Sequence, residues 1–209
     1  MTTILIVDDH PALRMVMKAQ LEQILGVGNI LEADNGQATV EAVRQYAPDL
    51  VVLDLDIPKI NGLDVVPRLK VMQPEIRVLV VSGQDQSAFA TRAMQAGAQG
   101  FVSKTQDIKE IVRCVEAVMA GYMVFPDLSR TGAAVRGATP DDERLRRLSD
   151  KEVVILQMLA KGLTNKSIGE ALFISNKTVS SHKARIMVKL QATSLVELVD
   201  FARRCKITA

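Results

Sequence analysis

Five short apolar runs, "TILIVDD", "NILEAD", "LVVLDLD", "RVLVVSG" and "GFVSK", recur within the first 120 residues, and each ends in an acid, a hydroxyl or a lysine. Between them apolar residues return at helical spacing, as at Leu13, Val16, Met17, Leu21 and Ile24, or at Ile108, Ile111, Val112, Val115 and Met119. A short continuous apolar run bounded by turn formers suits a strand covered on both faces. Strand and helix in alternation predict βαβ units and one parallel sheet, with five strands and five helices between residues 1 and 120.

A strand covered on both faces hides no unpaired charge without cost, so the carboxylates that close these runs belong at its mouth. Asp8 and Asp9 follow the first run, Asp54 the third, Ser82 the fourth and Lys104 the fifth. In open parallel sheets ligands gather at the carboxyl ends of the strands, near the point where strand order reverses, so these residues are expected to converge. Acids crowded into one cleft repel one another unless a cation compensates, and oxygen-only ligands suit a hard ion that keeps several waters, namely Mg²⁺. A phosphoryl group beside that metal then needs further positive charge and a hydroxyl, which Lys104 and Ser82 supply, with Asp54 as acceptor.

Three competing assignments are open to the same residues. Asp8 and Asp9 could cap the helix that opens at Pro11, and Lys104 could be a surface lysine. His10 could relay a phosphoryl group, although its place in a strand-to-helix turn beside the acids favours a cap or a side chain that backs them. "DLD" also matches the Asp-x-Asp pair of haloacid-dehalogenase-type phosphatases, where the pair closes the first strand; here "DD" already occupies that place.

Beyond residue 120 the character changes. Residues 121–147 mix Gly, Pro, Ser, Thr and charge without sustained periodicity, which predicts a linker whose first part, with Tyr122, Val124 and Phe125, can still pack on the preceding domain. From residue 148 to 209 every signal is helical. Ser149 with Glu152 and Ser194 with Glu197 have capping-box spacing, Thr164 and Ser175 suit N-caps, and four helices are expected over about 150–161, 165–172, 176–190 and 195–205. The short link "LFISN" between the second and third makes a helix-turn-helix candidate. On the third helix Val179, Ile186 and Leu190 share one face. Lys177, Ser180, Ser181, Ala184 and Val188 share the opposite one, small and polar enough to enter a major groove, with Lys183, Arg185 and Lys189 flanking it where phosphates would lie. A four-helix protein-binding module is the alternative for this half, and it would show an exposed apolar groove instead.

Charge divides the chain in the same place. Residues 1–120 hold 11 Lys and Arg against 15 Asp and Glu, a balance of −4, and residues 121–209 hold 15 against 9, a balance of +6. A basic half suggests a polyanionic partner, or only a solvated basic surface. No apolar run reaches the ~18 residues of a membrane helix, and the N-terminus lacks the basic start and cleavage region of a secretory signal, so no membrane partner and a cytoplasmic location are expected. Cys114 and Cys205 are expected as reduced thiols.

"LIVDDHP", "VVLDLDIPKINGLDV", "VLVVSG" and "GAQGFVSK" resemble the receiver domain of two-component response regulators. Residues 148–198, "LSDKEVVILQMLAKGLTNKSIGEALFISNKTVSSHKARIMVKLQATSLVEL", resemble the LuxR-type helix-turn-helix, so the whole chain is similar to NarL/FixJ-type response regulators. The resemblance implies a flavodoxin-like, doubly wound, five-stranded parallel receiver over 1–120, a linker over 121–147, and an all-α four-helix DNA-binding domain over 148–209. It implies Asp54 as phosphoacceptor, Asp8 and Asp9 as the acidic pair for Mg²⁺ with the Asp56 backbone carbonyl, Ser82 as switch hydroxyl, Lys104 as phosphate-pairing lysine and Phe101 as aromatic switch. Thr178, Val179 and His182 then mark the recognition helix, with His182 toward the inner edge and open equally to packing or a phosphate contact, Thr164 and Lys166 mark the helix before it, and the last helix supports dimerisation, where Val196 and Asp200 lie off the inward stripe expected of Leu195, Leu198, Val199 and Ala202. The implied partners are a sensor histidine kinase, promoter double-stranded DNA and a second copy of the phosphorylated chain. The implied role is transcription control without steady turnover, acting through release of the basic domain or through receiver dimerisation. Two residues depart from the family pattern: Asp56 is acidic where a neutral or basic residue is usual, and Thr105 stands where many receivers have Pro, which disfavours a cis bond by ~3 kcal/mol.

Overall fold

The computed structural model describes residues 1–84, 86–126, 140–172, 174–205 and 207. They fall into two compact units, Met1–Pro126 and Asp127–Ala209. In the first, strands β1 (Thr2–Val7), β2 (Val27–Ala33), β3 (Leu50–Leu53), β4 (Arg77–Ser82) and β5 (Gly100–Ser103) alternate with helices α1 (Pro11–Leu21), α2 (Gly36–Tyr46), α3 (Gly62–Met72), α4 (Gln86–Ala96) and α5 (Ile108–Met119). All neighbours are parallel and the order is β2-β1-β3-β4-β5, the doubly wound arrangement expected from the alternating runs.

Side chains alternate between faces along a strand, which sorts the core into two layers. Ile4, Ile6, Leu50, Val52, Leu79, Val81 and Val102 form one layer with Met17 and Leu21 of α1 and Ile111, Cys114, Val115 and Val118 of α5. The residues between them, Leu5, Val7, Val51, Leu53, Val78, Val80 and Phe101, are equally buried on the opposite face. β3 is buried at all four positions, whereas β2, at the edge, is half-exposed or exposed everywhere except Ala33. The strand order reverses between β1 and β3, because β2 lies on one side of β1 and everything later on the other. A cleft therefore opens above the ends of β1 and β3.

Gly62 closes the loop after β3 against the sheet. A Cβ there would meet the Asp54 carbonyl oxygen at 2.5 Å and the Leu55 Cα at 2.6 Å, so no larger residue lets α3 start where it does. Asn61 caps that helix by accepting from the Leu63 N–H.

The stretch 121–147 is not uniformly a linker. Val124 bridges Gly100, accepting from the Phe101 N–H at 2.7 Å and donating to the Gln99 carbonyl at 2.9 Å. This covers the open edge of β5, the packing expected of that first part. At the far end α6 (Pro140–Arg146) forms within the expected linker. Proline at the first helical position and the acids Asp141 and Glu143 in the first turn favour a helix start, a signal that the mixed composition hid. Arg204 anchors α6 through Asp141 at 2.8 Å, and Arg144 donates to Gln191 at 3.2 Å. Residues 127–139 lie outside the described residues.

The second unit continues with α7 (Asp150–Ala160), α8 (Asn165–Leu172), α9 (Asn176–Leu190) and α10 (Leu195–Arg204). With α6 it has five helices among the described residues rather than the expected four. Val153, Ile155, Leu156, Ile168, Val179, Ile186, Leu198 and Ala202 form its buried core. The turn between α8 and α9 is tight because Gly169 lets the Ile174 carbonyl oxygen approach to 2.7 Å of where a Cβ would stand. Ser149 and Glu152 form a full capping box on α7. Ser194 caps α10, but Glu197 returns to Thr193, one residue earlier, accepting from its N–H at 2.7 Å and its hydroxyl at 3.0 Å.

Candidate functional site

Each residue of the first site is the product of a strand ending. Asp8 directly follows β1 and Asp54 follows β3, each only 1% exposed, and Ser82 is the buried last residue of β4. Lys104 follows β5, its backbone N–H donating to the Ser82 carbonyl at 2.9 Å. Its ammonium reaches across the sheet end and touches both carboxylates: Nζ is 2.8 Å from Asp54 Oδ2 and 2.6 Å from Asp8 Oδ2. The Asp54 contact is a hydrogen bond, whereas the Asp8 contact is a charge contact without hydrogen-bond alignment.

Burial pushes the Asp54 carboxyl up to about 6, against the pull of Lys104, and Asp56 and Asp8 add to the rise. Burial works against the Lys104 ammonium, but the Asp54 and Asp8 charges outweigh it and hold its pKa above the usual value. At neutral pH Asp54 is thus an ionised but poorly solvated carboxylate. Its Oδ1 is buried with no hydrogen-bond partner, an arrangement that is costly unless something positive arrives.

Asp9 and His10 form the rim. His10 N–H donates to Asp8 Oδ1 at 2.8 Å, and its ring Nδ1 lies 3.1 Å from Asp8 Oδ1 and 2.6 Å from Asp9 Oδ1. His10 occupies the N-cap position of α1 without a side-chain cap, and neither Asp8 nor Asp9 occupies it. Asp8, Asp9 and His10 present ligand atoms within 4.8 Å of one another. Oxygen donors with an unpartnered buried carboxylate oxygen suit a hard divalent cation. Asp56 is exposed, and its Oδ1 accepts from Gln84 Nε2, joining the loops that follow β3 and β4. Phe101 is fully buried on the sheet face opposite α1 and α5. No cis peptide occurs among the described residues, so the Lys104–Thr105 bond is trans, and Thr105 bonds back to Ser103.

The second site is the outer face of α9 with the start of α8. Lys177, Ser180, Ser181, Ala184, Arg185 and Val188 are exposed, opposite buried Val179, Ile186 and Leu190. Ser180 and Ser181 donate to the Asn176 and Lys177 carbonyls, both at 3.0 Å, which leaves acceptor lone pairs outward. Asn165 donates to Ser180 at 3.1 Å and ties the two helices together. Lys183 is half-buried, and Thr178 turns to Ser175 at 2.8 Å in the helix cap. Thr164 caps α8, accepting from the Ser167 N–H at 3.2 Å, and Lys166 is exposed beside it.

Two expectations shift here, at Lys189 and Leu195, and one left open, at His182, is decided. Lys189 does not flank the outer face with a spare charge; it pairs with buried Glu152 at 2.6 Å. Of the two roles open to His182 the structure shows packing, with Nδ1 buried and without a hydrogen bond; burial and then the nearby Lys151 hold its pKa below the ordinary value. Leu195 is 42% exposed rather than inward, and Phe201 fills the core beside Leu198 and Ala202. Val196 is exposed as expected, as is Asp200, whose carboxylate lies 3.8 Å from Arg203. Gln84, Asn165 and Arg14 also belong to these sites although the expected set omits them; the Arg14 guanidinium donates to the Asp8 carbonyl at 2.6 Å. Arg14, four residues after the His10 cap, could have been suspected from helical spacing; Gln84 and Asn165 carry no local signal.

Residues 4–116 match the response regulator receiver domain, and residues 146–202 match the bacterial regulatory proteins of the LuxR family. The chain is 45% identical over 204 residues to the virulence-factor transcription regulator BvgA of Bordetella pertussis, with 96% of each chain covered. It is 36% identical over 205 residues to the DNA-binding transcriptional activator EvgA of Escherichia coli, with 97% of this chain and 98% of the other covered. Its fold resembles that of the Salmonella typhimurium response regulator RcsB, at TM-score 0.71 and 23% identity over 98% of both chains.

Proposed function

Because this chain belongs to the two-component response regulators that join a receiver domain to a LuxR-type helix-turn-helix domain, and is thus a phosphorylation-dependent DNA-binding transcription regulator, we propose that Asp54 is the residue that takes the phosphoryl group. The observation that carries the assignment is the single Lys104 ammonium held between two buried carboxylates, one of which keeps an unpartnered oxygen. The donor is a phosphohistidine of a sensor kinase. An Asp54 carboxylate oxygen attacks phosphorus, the P–N bond breaks with its electron pair leaving on the imidazole, and an acyl phosphate remains.

Asp8, Asp9 and Asp54, with the Asp56 backbone carbonyl, would hold Mg²⁺, which when bound would offset negative charge on the transferring oxygens. Lys104 then transfers its contact to the phosphoryl oxygens, and the Ser82 hydroxyl donates to another of them. Both residues lie at the ends of adjacent strands, β4 and β5, so drawing them inward biases those strands toward one of two arrangements. Phe101, buried within β5, is the side chain through which that bias reaches the helix packed on it, α4. The receiver accepts and loses one phosphoryl group per cycle and turns over no generic ester.

The output surface is α9. Lys177, Ser180, Ser181 and Ala184 face the major groove, while Lys183, Arg185, Thr178, Thr164 and Lys166 meet the backbone. Phosphorylation favours a homodimer, with Val196 and Asp200 of α10 facing the partner copy, and the protein works in the cytoplasm on promoter double-stranded DNA. The test is labelling with a radioactive phosphodonor and Mg²⁺, followed by promoter-fragment binding. Stoichiometric label that disappears in Asp54→Asn, together with tighter DNA binding only in the wild type, is expected. Undiminished labelling of Asp54→Asn would overturn the assignment.

A further inference from the structure

Resting on Asp8 and Asp9 as cation ligands, we propose that His10 is a third ligand from the same turn. The acidic site then binds divalent transition-metal ions with an imidazole nitrogen added to its carboxylates.

Three observations support this. His10 stands at the N-cap of α1 but makes no side-chain cap, so its ring is not committed to the helix. Its backbone is pinned instead: the N–H donates to Asp8 Oδ1, and Pro11 follows at the first helical position. That pinning points Nδ1 at the two carboxylates, 2.6 Å from Asp9 Oδ1 and 3.1 Å from Asp8 Oδ1. Around an octahedral ion with bonds of about 2.1 Å, adjacent ligand atoms stand roughly 3 Å apart, and these two separations bracket that spacing.

The neighbouring oxygens also point to a bound cation. Asp8 is 1% exposed, with Oδ2 in no aligned hydrogen bond, and buried Asp54 keeps Oδ1 without any partner although Lys104 joins the two residues. The cleft thus has buried anionic capacity that its own lysine leaves partly unused. The His10 side chain is 69% exposed, which leaves an entry path for a hydrated ion from the rim. An imidazole among carboxylates shifts preference from Mg²⁺ toward first-row transition-metal ions, Mn²⁺ among them, because these accept a nitrogen donor more readily than a hard alkaline-earth ion does.

The experiment uses the full chain, loaded separately with Mg²⁺ and Mn²⁺. Calorimetry gives each affinity, and pulsed electron paramagnetic resonance of the Mn²⁺ form reads directly whether a ¹⁴N nucleus lies in its first coordination sphere. Nitrogen coupling is expected in the wild type and is lost in both His10→Ala and His10→Phe, the second keeping a ring of similar size at the cap. Those variants are expected to bind Mn²⁺ about tenfold more weakly, within the range seen when ligand surroundings are disrupted, while Mg²⁺ binding changes by less than about threefold. Absence of nitrogen coupling in the wild type, or equal weakening of both ions, would overturn the proposal and leave His10 as a residue that only orients the acids. Failure of the wild type to bind either ion would instead overturn the acid-pair reading on which the proposal rests.

Discussion

At the scale of single residues, Lys104 decides the state of the cleft. It is the ammonium set between Asp8 and Asp54, so Lys104→Met leaves two buried carboxylates uncompensated. In metal-free buffer at pH 7 this variant is expected to lose about 3 kcal/mol in urea titrations, in the range for breaking a buried ion pair, and added Mg²⁺ should recover part of it. The pH dependence has a definite sign. The Asp54 carboxyl ionises near 6 in the folded protein against an ordinary 3.8. Between those values the folded state holds a proton that the unfolded state has released, so this residue lowers stability as pH rises through that window. Asp54→Asn should flatten the decline between pH 4 and 6, measured by thermal melts in the absence of metal. Gly62 matters for a steric reason: a Cβ would strike the Asp54 carbonyl and Leu55. Gly62→Ala is expected to cost about 2 kcal/mol or more and to slow labelling of Asp54, because the loop that positions the acceptor must shift.

At the scale of elements, the ion pair between Glu152 and Lys189 ties the start of α7 to the last turn of α9. Burial alone would raise the Glu152 pKa, but the hydrogen bonds from Lys189 and Ser149 outweigh it and hold the carboxyl below its ordinary 4.5. A depressed acid contributes stability above its unfolded value and loses it as pH falls through the folded one. Glu152→Gln should therefore destabilise the second unit by about 1–2 kcal/mol at pH 7, moderated by the partial exposure of Lys189, and the difference should vanish below the folded-state pKa. Calorimetry of the full chain at pH 7 and at low pH reads both. The Asn165–Ser180 hydrogen bond plays a smaller part by fixing α8 against α9.

For the whole molecule, the acidic receiver and basic helical unit give DNA binding a strong salt dependence. Log affinity for promoter DNA is expected to fall linearly with log salt, with a slope of about 0.9 per phosphate neutralised. Lys166→Ala or Arg185→Ala should each reduce that slope by about 1 if the residue meets a phosphate, and Lys189→Ala should leave it nearly unchanged because Lys189 already serves Glu152. Fluorescence anisotropy over a salt series separates these outcomes.

The strand-by-strand alternation, the convergence of Asp8, Asp54, Ser82 and Lys104, and the buried stripe of α9 were all legible in the chain. Each follows from local periodicity together with one general rule about where parallel strands end. What only the tertiary structure decided depends on residues far apart in sequence. Lys104 holds both acids at once, Lys189 is diverted to Glu152, His182 turns inward, and Val124 returns to cover β5. Periodicity states which face a residue occupies. It does not state which partner, fifty residues away, stands opposite, and that partner determines whether a charge is spent or available.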